Sequence, residues 1–293
     1  MQIVQPYAPS STGEESPRRV FDYEVIDFIG EGAGSLIYVV AHPESHQLYA
    51  LKHVRRHGEK SQRFFDQIEN EFAVSQGFTH PVLRKSVELR DNHTLFRKAT
   101  EAALLMELFD GASLDIRNGG DVAGMLDCFI LVAQGLGALH GMGYIHCDLK
   151  PNNILVAADG RVKIIDFGQT CKAGSIKERI QGTPDFIAPE QVRCQPISVR
   201  TDVFNLGATM YWAFGRRAIP TLFTLKKGKN SFLVDERIST PHDLDSSVPE
   251  QLSNLIMECV RTNPQRRPKD MPELIHRLEI VQHSIRLHGA AVA

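Results

Sequence analysis

The chain has 293 residues, 42% hydrophobic and 23% charged, enough to bury a substantial core as one two-lobed domain or two small ones. With 33 basic against 35 acidic residues the formal net charge is −2, so no global field draws nucleic acid or an anionic membrane, and neither is expected as a partner. No run is read as reaching the ~18 apolar residues of a membrane span, residues 1–20 hold no signal-peptide core, and the five cysteines (Cys128, Cys147, Cys171, Cys194, Cys259) form no closely spaced pair; the expectation is a cytoplasmic chain without membrane insertion, its thiols reduced.

Residues 1–20, rich in Ser, Pro and charge, read as a disordered leader that could serve in phosphorylation or docking. From residue 21 to 106, alternating apolar residues such as Val25, Phe28, Ile37, Val39, Tyr49 and Leu51 predict strands, interrupted by one helix over 61–77. Residues 107–112 form a short connector. Helical spacing then dominates residues 113–288, with helices over 122–142, 202–214, 249–261 and 271–287, and residues 289–293 are a short tail. The fold class is α+β: a small strand-rich lobe with one helix and a larger, mainly helical lobe, the crevice between them being the natural ligand site.

Three segments carry chemistry. Ile29-Gly30-Glu31-Gly32-Ala33-Gly34-Ser35-Leu36-Ile37 joins two predicted strands, and its glycines let backbone N–H groups approach phosphate oxygens without a Cβ in the way. Tyr49-Ala50-Leu51-Lys52 places a lysine between apolar flanks. His146-Cys147-Asp148-Leu149-Lys150-Pro151-Asn152-Asn153 is followed, 18 positions after Asp148, by Asp166-Phe167-Gly168. Strand-like runs around Ile145, Ile154-Leu155-Val156 and Val162-Lys163-Ile164-Ile165 bracket these polar groups. Phosphoryl transfer needs positioned phosphates, a divalent metal and a carboxylate to orient the attacking hydroxyl, and these residue types supply them.

In this order the motifs resemble those of the protein kinase superfamily, and among them the bacterial-type (eukaryotic-like) serine/threonine protein kinases; the resemblance runs from about Tyr23 to Leu278. It implies a two-lobed kinase fold that binds ATP with Mg²⁺, Mn²⁺ being an alternative. The nucleotide-binding residues it implies are Ile29, Gly30, Glu31, Gly32, Ala33, Gly34, Ser35, Ile37, Ala50, Lys52, Met106, Glu107, Phe109, Leu155 and Asp166. Among these, Met106 guards the back of the adenine pocket and the main chain of Glu107 and Phe109 meets the base. Glu71 is the partner implied for Lys52; Glu69 is a rival, but Glu71 has the matching distance of ten positions to Pro81. Asp148 would orient the acceptor hydroxyl, Lys150 would neutralise charge on the γ-phosphate, and Asn153 with Asp166 would hold the metal.

Gly182-Thr183-Pro184-Asp185-Phe186-Ile187-Ala188-Pro189-Glu190 resembles the end of an activation segment, with Arg267 as partner of Glu190 and Asp202 bracing the catalytic loop. Thr183 with Lys150-Pro151 favours serine and threonine acceptors. The implied function is ATP-dependent phosphorylation of proteins on Ser/Thr, with autophosphorylation; the alternative is a nucleotide-binding scaffold that signals by contacts. A small-molecule kinase is disfavoured by Ala188-Pro189-Glu190 and Arg267, and the oligomeric state is left open.

The departures bear on regulation. Ser35 stands where the pattern has its third glycine, and Gly34 where it has an aromatic residue. Cys147 and Cys171 replace two basic residues that in many kinases hold an activating phosphate, so activity is expected not to depend on phosphorylation at Thr170, Ser175 or Thr183. By the same analogy the two cysteines lie close in space, as a redox pair or as small thiols filling space. Ser113, Asn152 and Trp212 stand where basic-directed kinases carry acidic groups, so no pocket for upstream arginine is expected. Lys226, Lys227 and Lys229, before the region of Phe232, read as a solvated run or an acidic-substrate dock.

Overall fold

The computed structural model describes residues 17–32, 34–94, 98–116, 121–225 and 238–290. Most of the leader, Ala33, Lys226, Lys227, Lys229 and the region of Phe232, and residues 291–293 of the tail lie outside the described residues. By their contacts the described residues divide into two units, 17–79 with 84–110 and 80–83 with 111–290.

The first unit is built on an antiparallel sheet of six strands: β1 (Arg19–Val20), β2 (Tyr23–Gly32), β3 (Ser35–Ala41), β4 (Leu48–Arg55), β5 (Ser86–Asp91) and β6 (Glu101–Glu107), in the order β1-β2-β3-β4-β6-β5. Successive side chains on a strand point to opposite faces, and each face carries its own core. Tyr38, Val40, Leu51 and Leu105 pack on one side, and Ala50, Leu104 and Met106 on the other. The second face is covered by α1 (Gln62–Ser75), through Phe65 and Ile68. Each such fully buried side chain contributes roughly 1.5–3 kcal/mol. Phe65, Ile68, Glu71 and Ser75 recur at helical spacing, so Glu71 sits on the inward stripe of α1 among apolar neighbours. A carboxylate so placed requires a partner.

In the second unit the segment His80–Leu83, although it precedes β5 in sequence, packs with the chain after Gly111, because Leu83 bridges to Ile164 and Ile164 donates its N–H to the Val82 carbonyl at 2.7 Å. A small sheet joins β7 (Ala112–Ser113), β9 (Ile154–Val156) and β10 (Val162–Ile164) in the order β10-β9-β7, and a ribbon pairs β8 (Tyr144–Ile145) with β11 (Cys171–Lys172). The helices are α2 (Val122–Gly141), α3 (Pro189–Val192), α4 (Val199–Gly215), α5 (Leu222–Leu225), α6 (Pro241–Leu244), α7 (Glu250–Cys259) and α8 (Met271–Ala290). α4 starts three residues before the sequence expectation because Thr201 accepts the Ser198 N–H at 3.2 Å and closes an extra first turn. A Cβ at Gly207 would lie 2.5 Å from Cβ of Cys259, so glycine lets α4 and α7 approach closely.

One expectation needs correcting. α2 is long and apolar enough, by length and composition, to cross a membrane, with a mean hydropathy of 1.8 over 18 residues, although no such run was read from the sequence. Interspersed Gly124, Asp127, Gln134 and His140 disguise the run. Here it is a core helix: Leu126, Phe129, Val132, Ala133 and Leu136 are buried, and it packs on α8, α4, β8 and β10.

Candidate active site

The candidate residues fall on both units, and each group is built from its own elements. In the first unit, β2 and β3 pair Gly30 with Ile37 and Gly32 with Ser35, and Gly34 donates its N–H to the Gly32 carbonyl at 2.6 Å. This hairpin end is tight. Gly34 has φ +95°, and a Cβ there would come within 2.4 Å of the Phe64 ring on α1. An aromatic ring thus stands beside the position where the family pattern has an aromatic side chain, but α1 supplies it. Nothing lies within 4 Å of where a Gly30 Cβ would be, so Gly30 faces open space.

Next along the sheet, β4 and β6 pair Ala50 with Met106 and Lys52 with Leu104, while Ile37 of β3 lies opposite Lys52. Ala50 and Met106 are buried, with Ile29 packed against them. Glu107 donates its N–H to the Lys85 carbonyl at 3.0 Å, so the role expected of its main chain falls to the carbonyl. Lys52 Nζ lies 2.7 Å from Oε2 of Glu71, whose side chain is 1% exposed. Glu71, not Glu69, meets the lysine. A third member went unforeseen: Arg84, itself buried, places Nη2 3.8 Å from Glu71 Oε1. So did the buried hydroxyl pair beneath, where Ser75 Oγ lies 2.6 Å from Ser86 Oγ. The one available signal was a charged Arg84 following apolar Val82 and Leu83.

In the second unit, residues 146–153 leave β8 and end in a turn of 3-10 helix over Pro151–Asn153. Asp202, fully buried at the start of α4, holds this loop by accepting the N–H groups of His146 (2.8 Å) and Cys147 (2.9 Å), and it also bonds His140 Nε2 at 2.8 Å. Burial opposes its charge, but the hydrogen bond and charge of His140 with the backbone donors outweigh it, and the carboxyl titrates below the ordinary value. Cys147 adopts φ 68°, in the left-handed region that non-glycine residues seldom enter, and so turns the chain at Asp148.

Both oxygens of the largely buried Asp148 are engaged. Oδ1 accepts the N–H and the hydroxyl of Thr183, each at 2.8 Å, and Oδ2 lies 3.3 Å from Lys150 Nζ. Lys150 also donates to Thr183 Oγ1 at 2.9 Å, so a cation, a carboxylate and a hydroxyl meet at one point. Asn153 directs Nδ2 to the Asp148 carbonyl at 2.8 Å, leaving its amide oxygen as the atom with which it would ligate a cation. Asp166 has φ 65°, the second left-handed residue of this unit's candidate site, and the buried Phe167 ring beside it packs edge-on to His146 at 5.2 Å. Leu155, also expected at the nucleotide, lies on β9 opposite Lys163 and Ser113.

The carboxylate and amide oxygens of Asp166 and Asn153 are hard donors of the kind Mg²⁺ or Mn²⁺ prefers. Among the described residues no group of three or more His, Cys, Asp or Glu is arranged to hold a metal.

A bidentate pair underlies the segment after Thr183. Arg267 donates Nη1 and Nη2 to Glu190 at 2.8 and 2.9 Å, and its other N–H bonds go to the carbonyls of Arg200, Arg261 and Thr262. The model of the protein kinase domain matches residues 23–283.

The chain belongs to the protein kinase family.

Its similarity to individual kinases is low but extends over most of its length. It is 24% identical to the serine/threonine-protein kinase PknD of Chlamydia pneumoniae, over 88% of this chain and 31% of that protein. It is 25% identical to the serine/threonine-protein kinase PknA of Corynebacterium glutamicum, over 86% of this chain and 55% of that protein, and 27% identical to AfsK of Streptomyces griseus, over 88% and 32%. The chain thus spans about a third to a half of the length of these relatives. Against the kinase pattern, Asp115 was missed by sequence reasoning: its Oδ2 accepts from Asn152 Nδ2 at 2.5 Å and brings a carboxylate beside a position expected to lack one.

Proposed function

We propose that the protein is a serine/threonine kinase that transfers the γ-phosphoryl group of ATP to Ser or Thr hydroxyls of proteins, and that it also phosphorylates itself. The arrangement at Asp148 carries the reading. A hydroxyl oxygen, that of Thr183, already sits within hydrogen-bond distance of both the carboxylate and the Lys150 ammonium. Asp148 in this reading orients the acceptor hydroxyl and receives its proton, and Lys150 offsets charge that grows on the transferred group. Lys52, held by Glu71, fixes the α- and β-phosphates, and the glycines around Gly32 let backbone N–H groups reach them. Asn153 and Asp166 hold Mg²⁺, or Mn²⁺ in its place. Bound Mg·ATP supplies the phosphoryl group and the positive charge that draws electrons toward the leaving oxygen.

Activity in this reading does not wait for phosphorylation of the activation segment. Thiols occupy the places where basic residues would hold a phosphate, Thr170 is 2% exposed, and Thr183 is engaged at Asp148. A phosphatase-treated sample is expected to keep most of its activity; near-complete loss would contradict the idea. We place the protein in the cytoplasm, where free thiols are the resting state of cysteine, with proteins as its partners.

The test is transfer from radiolabelled ATP with Mg²⁺, to the protein itself and to a generic basic protein, followed by phosphoamino-acid analysis. Phosphoserine or phosphothreonine made by the wild type supports the reading. ATP binding without transfer to any acceptor would favour a contact-signalling scaffold instead.

A further inference from the structure

Cys147 and Cys171 bring their Sγ atoms to 3.5 Å. The antiparallel pairing of β11 with β8 sets Cys171 opposite Ile145, and the left-handed turn at Cys147 brings the second sulfur back to it. Ile145, Ile197 and Val199 pack around the pair. The two thiols differ in environment. Cys147 is 2% exposed and directs its Sγ to the Ile145 carbonyl at 3.4 Å, whereas Cys171 is half-buried and within reach of solvent.

Their acidities diverge in the same sense. The hydrogen bond from Cys147 brings Cys171 down to about 7, helped by the Lys177 charge and the Ser175 hydroxyl against burial and Asp202. That same contact, with burial and Asp202, pushes Cys147 up. One sulfur is thereby suited to attack an oxidant, and the other lies buried in contact with it, suited to resolve the product.

We propose that Cys147 and Cys171 form a reversible oxidation site for hydrogen peroxide, in which a disulfide ties the catalytic loop to the strand just after Asp166-Phe167-Gly168. The Cys171 thiolate sulfur attacks one peroxide oxygen, the O–O bond breaks, and the departing hydroxide takes a proton to become water. Cys171 is then a sulfenic acid. Cys147 gives up its proton as its sulfur attacks Cys171 Sγ, the S–O bond breaks, and the oxygen leaves as a second water. Two thiols are oxidised to one disulfide, one peroxide is reduced to two waters, and a dithiol reductant reverses the change.

The bond has a mechanical consequence. A disulfide is about 2.05 Å long, so the sulfurs must close by about 1.5 Å from their present contact. Cys147 cannot yield without cost, because Asp202 holds its N–H and Gln191 Nε2 holds its carbonyl at 2.7 Å. Closure from the Cys147 side therefore strains these two hydrogen bonds, the second of which holds the peptide that joins Cys147 to Asp148. The effect on turnover rests on the kinase reading; the cross-link itself does not.

The full chain is to be titrated with hydrogen peroxide, alkylated with N-ethylmaleimide and mapped without reduction, with turnover measured in parallel before and after dithiothreitol. The expected result is a Cys147–Cys171 linked peptide that dithiothreitol removes, with turnover roughly tenfold or more lower while it persists and restored afterwards. Cys147→Ser should instead trap a dimedone-reactive sulfenic acid at Cys171, and Cys171→Ser should show neither product. A wild type that stays unlinked, or that links and keeps full turnover, overturns the proposal. If the wild type transfers no phosphate at all, the kinase reading fails, and mapping still decides whether the site exists.

Discussion

Glu71 is a carboxylate on the apolar face of α1, and its two oxygens are shared between Lys52 at 2.7 Å and Arg84 at 3.8 Å. A buried charge of this kind is tolerated only while its partners remain. In the proposed reading Arg84 therefore acts through Glu71, holding the carboxylate where it aligns Lys52, as a positioning residue. Arg84→Met should lower kcat/KM for ATP roughly threefold to tenfold, equivalent to about 1 kcal/mol, with Arg84→Lys recovering much of the loss. Unchanged kinetics in both variants would show that Lys52 and Glu71 need no third group. At Gly34 both backbone and space demand glycine, because φ is +95° and Phe64 fills the side-chain position. Gly34→Ala should raise KM for ATP by displacing the hairpin end, and Gly34→Ala with Phe64→Ala should relieve the collision but not the φ strain. Equal KM for single and double variants would show that Phe64 is no obstacle.

α4 shows how a helix fixes a loop that lies outside its own span. Its first turn carries Asp202, whose carboxylate takes up two backbone N–H groups of the catalytic loop and the His140 ring. Asp202→Ala would leave those donors buried and unpaired, and should cost about 3–5 kcal/mol of stability, seen as a lower urea midpoint with unchanged slope. The lowered pKa sets the sign of the pH dependence. The folded state binds this proton more weakly than the unfolded one, so the Asp202 contribution is present above the unfolded value of about 3.9 and is lost as pH falls through the folded value. Stability of the wild type should fall more steeply than that of Asp202→Asn below about pH 4; parallel acid profiles would contradict that linkage.

Across the whole molecule, the elements most legible in sequence were those whose periodicity or motif is local. The strands around Val39 and Leu51 and the helix carrying Glu71 were visible as alternation or helical spacing, and the order of motifs pointed to the family. What escaped notice were contacts that spacing does not encode: Arg84 reaching Glu71 across 13 positions, Phe64 filling the place beside Gly34, and Asp115 meeting Asn152 across 37. α2 escaped for a different reason, since polar residues scattered through it broke the apolar run that its burial on several sides produces.

Long-range order also rests on the Arg267–Glu190 pair, 77 positions apart, in which all five guanidinium N–H groups find oxygen acceptors. Arg267→Met should lower stability by about 3–5 kcal/mol by leaving Glu190 buried without its cation, and Arg267→Lys should recover only part because an ammonium cannot reproduce the fork. Urea midpoints for the two variants would check this; a midpoint for Arg267→Met equal to the wild type would contradict it.

In the proposed reading, transfer turns on Asp148 as the carboxylate that orients the acceptor hydroxyl. Single-turnover phosphoryl transfer by wild type and Asp148→Asn is to be compared at saturating Mg·ATP, with nucleotide affinity measured on both by calorimetry. Transfer by the wild type that falls by roughly 10²-fold or more in Asp148→Asn, at unchanged affinity, is the predicted result. Equal transfer by the two proteins, or none by a wild type that binds Mg·ATP, would contradict it.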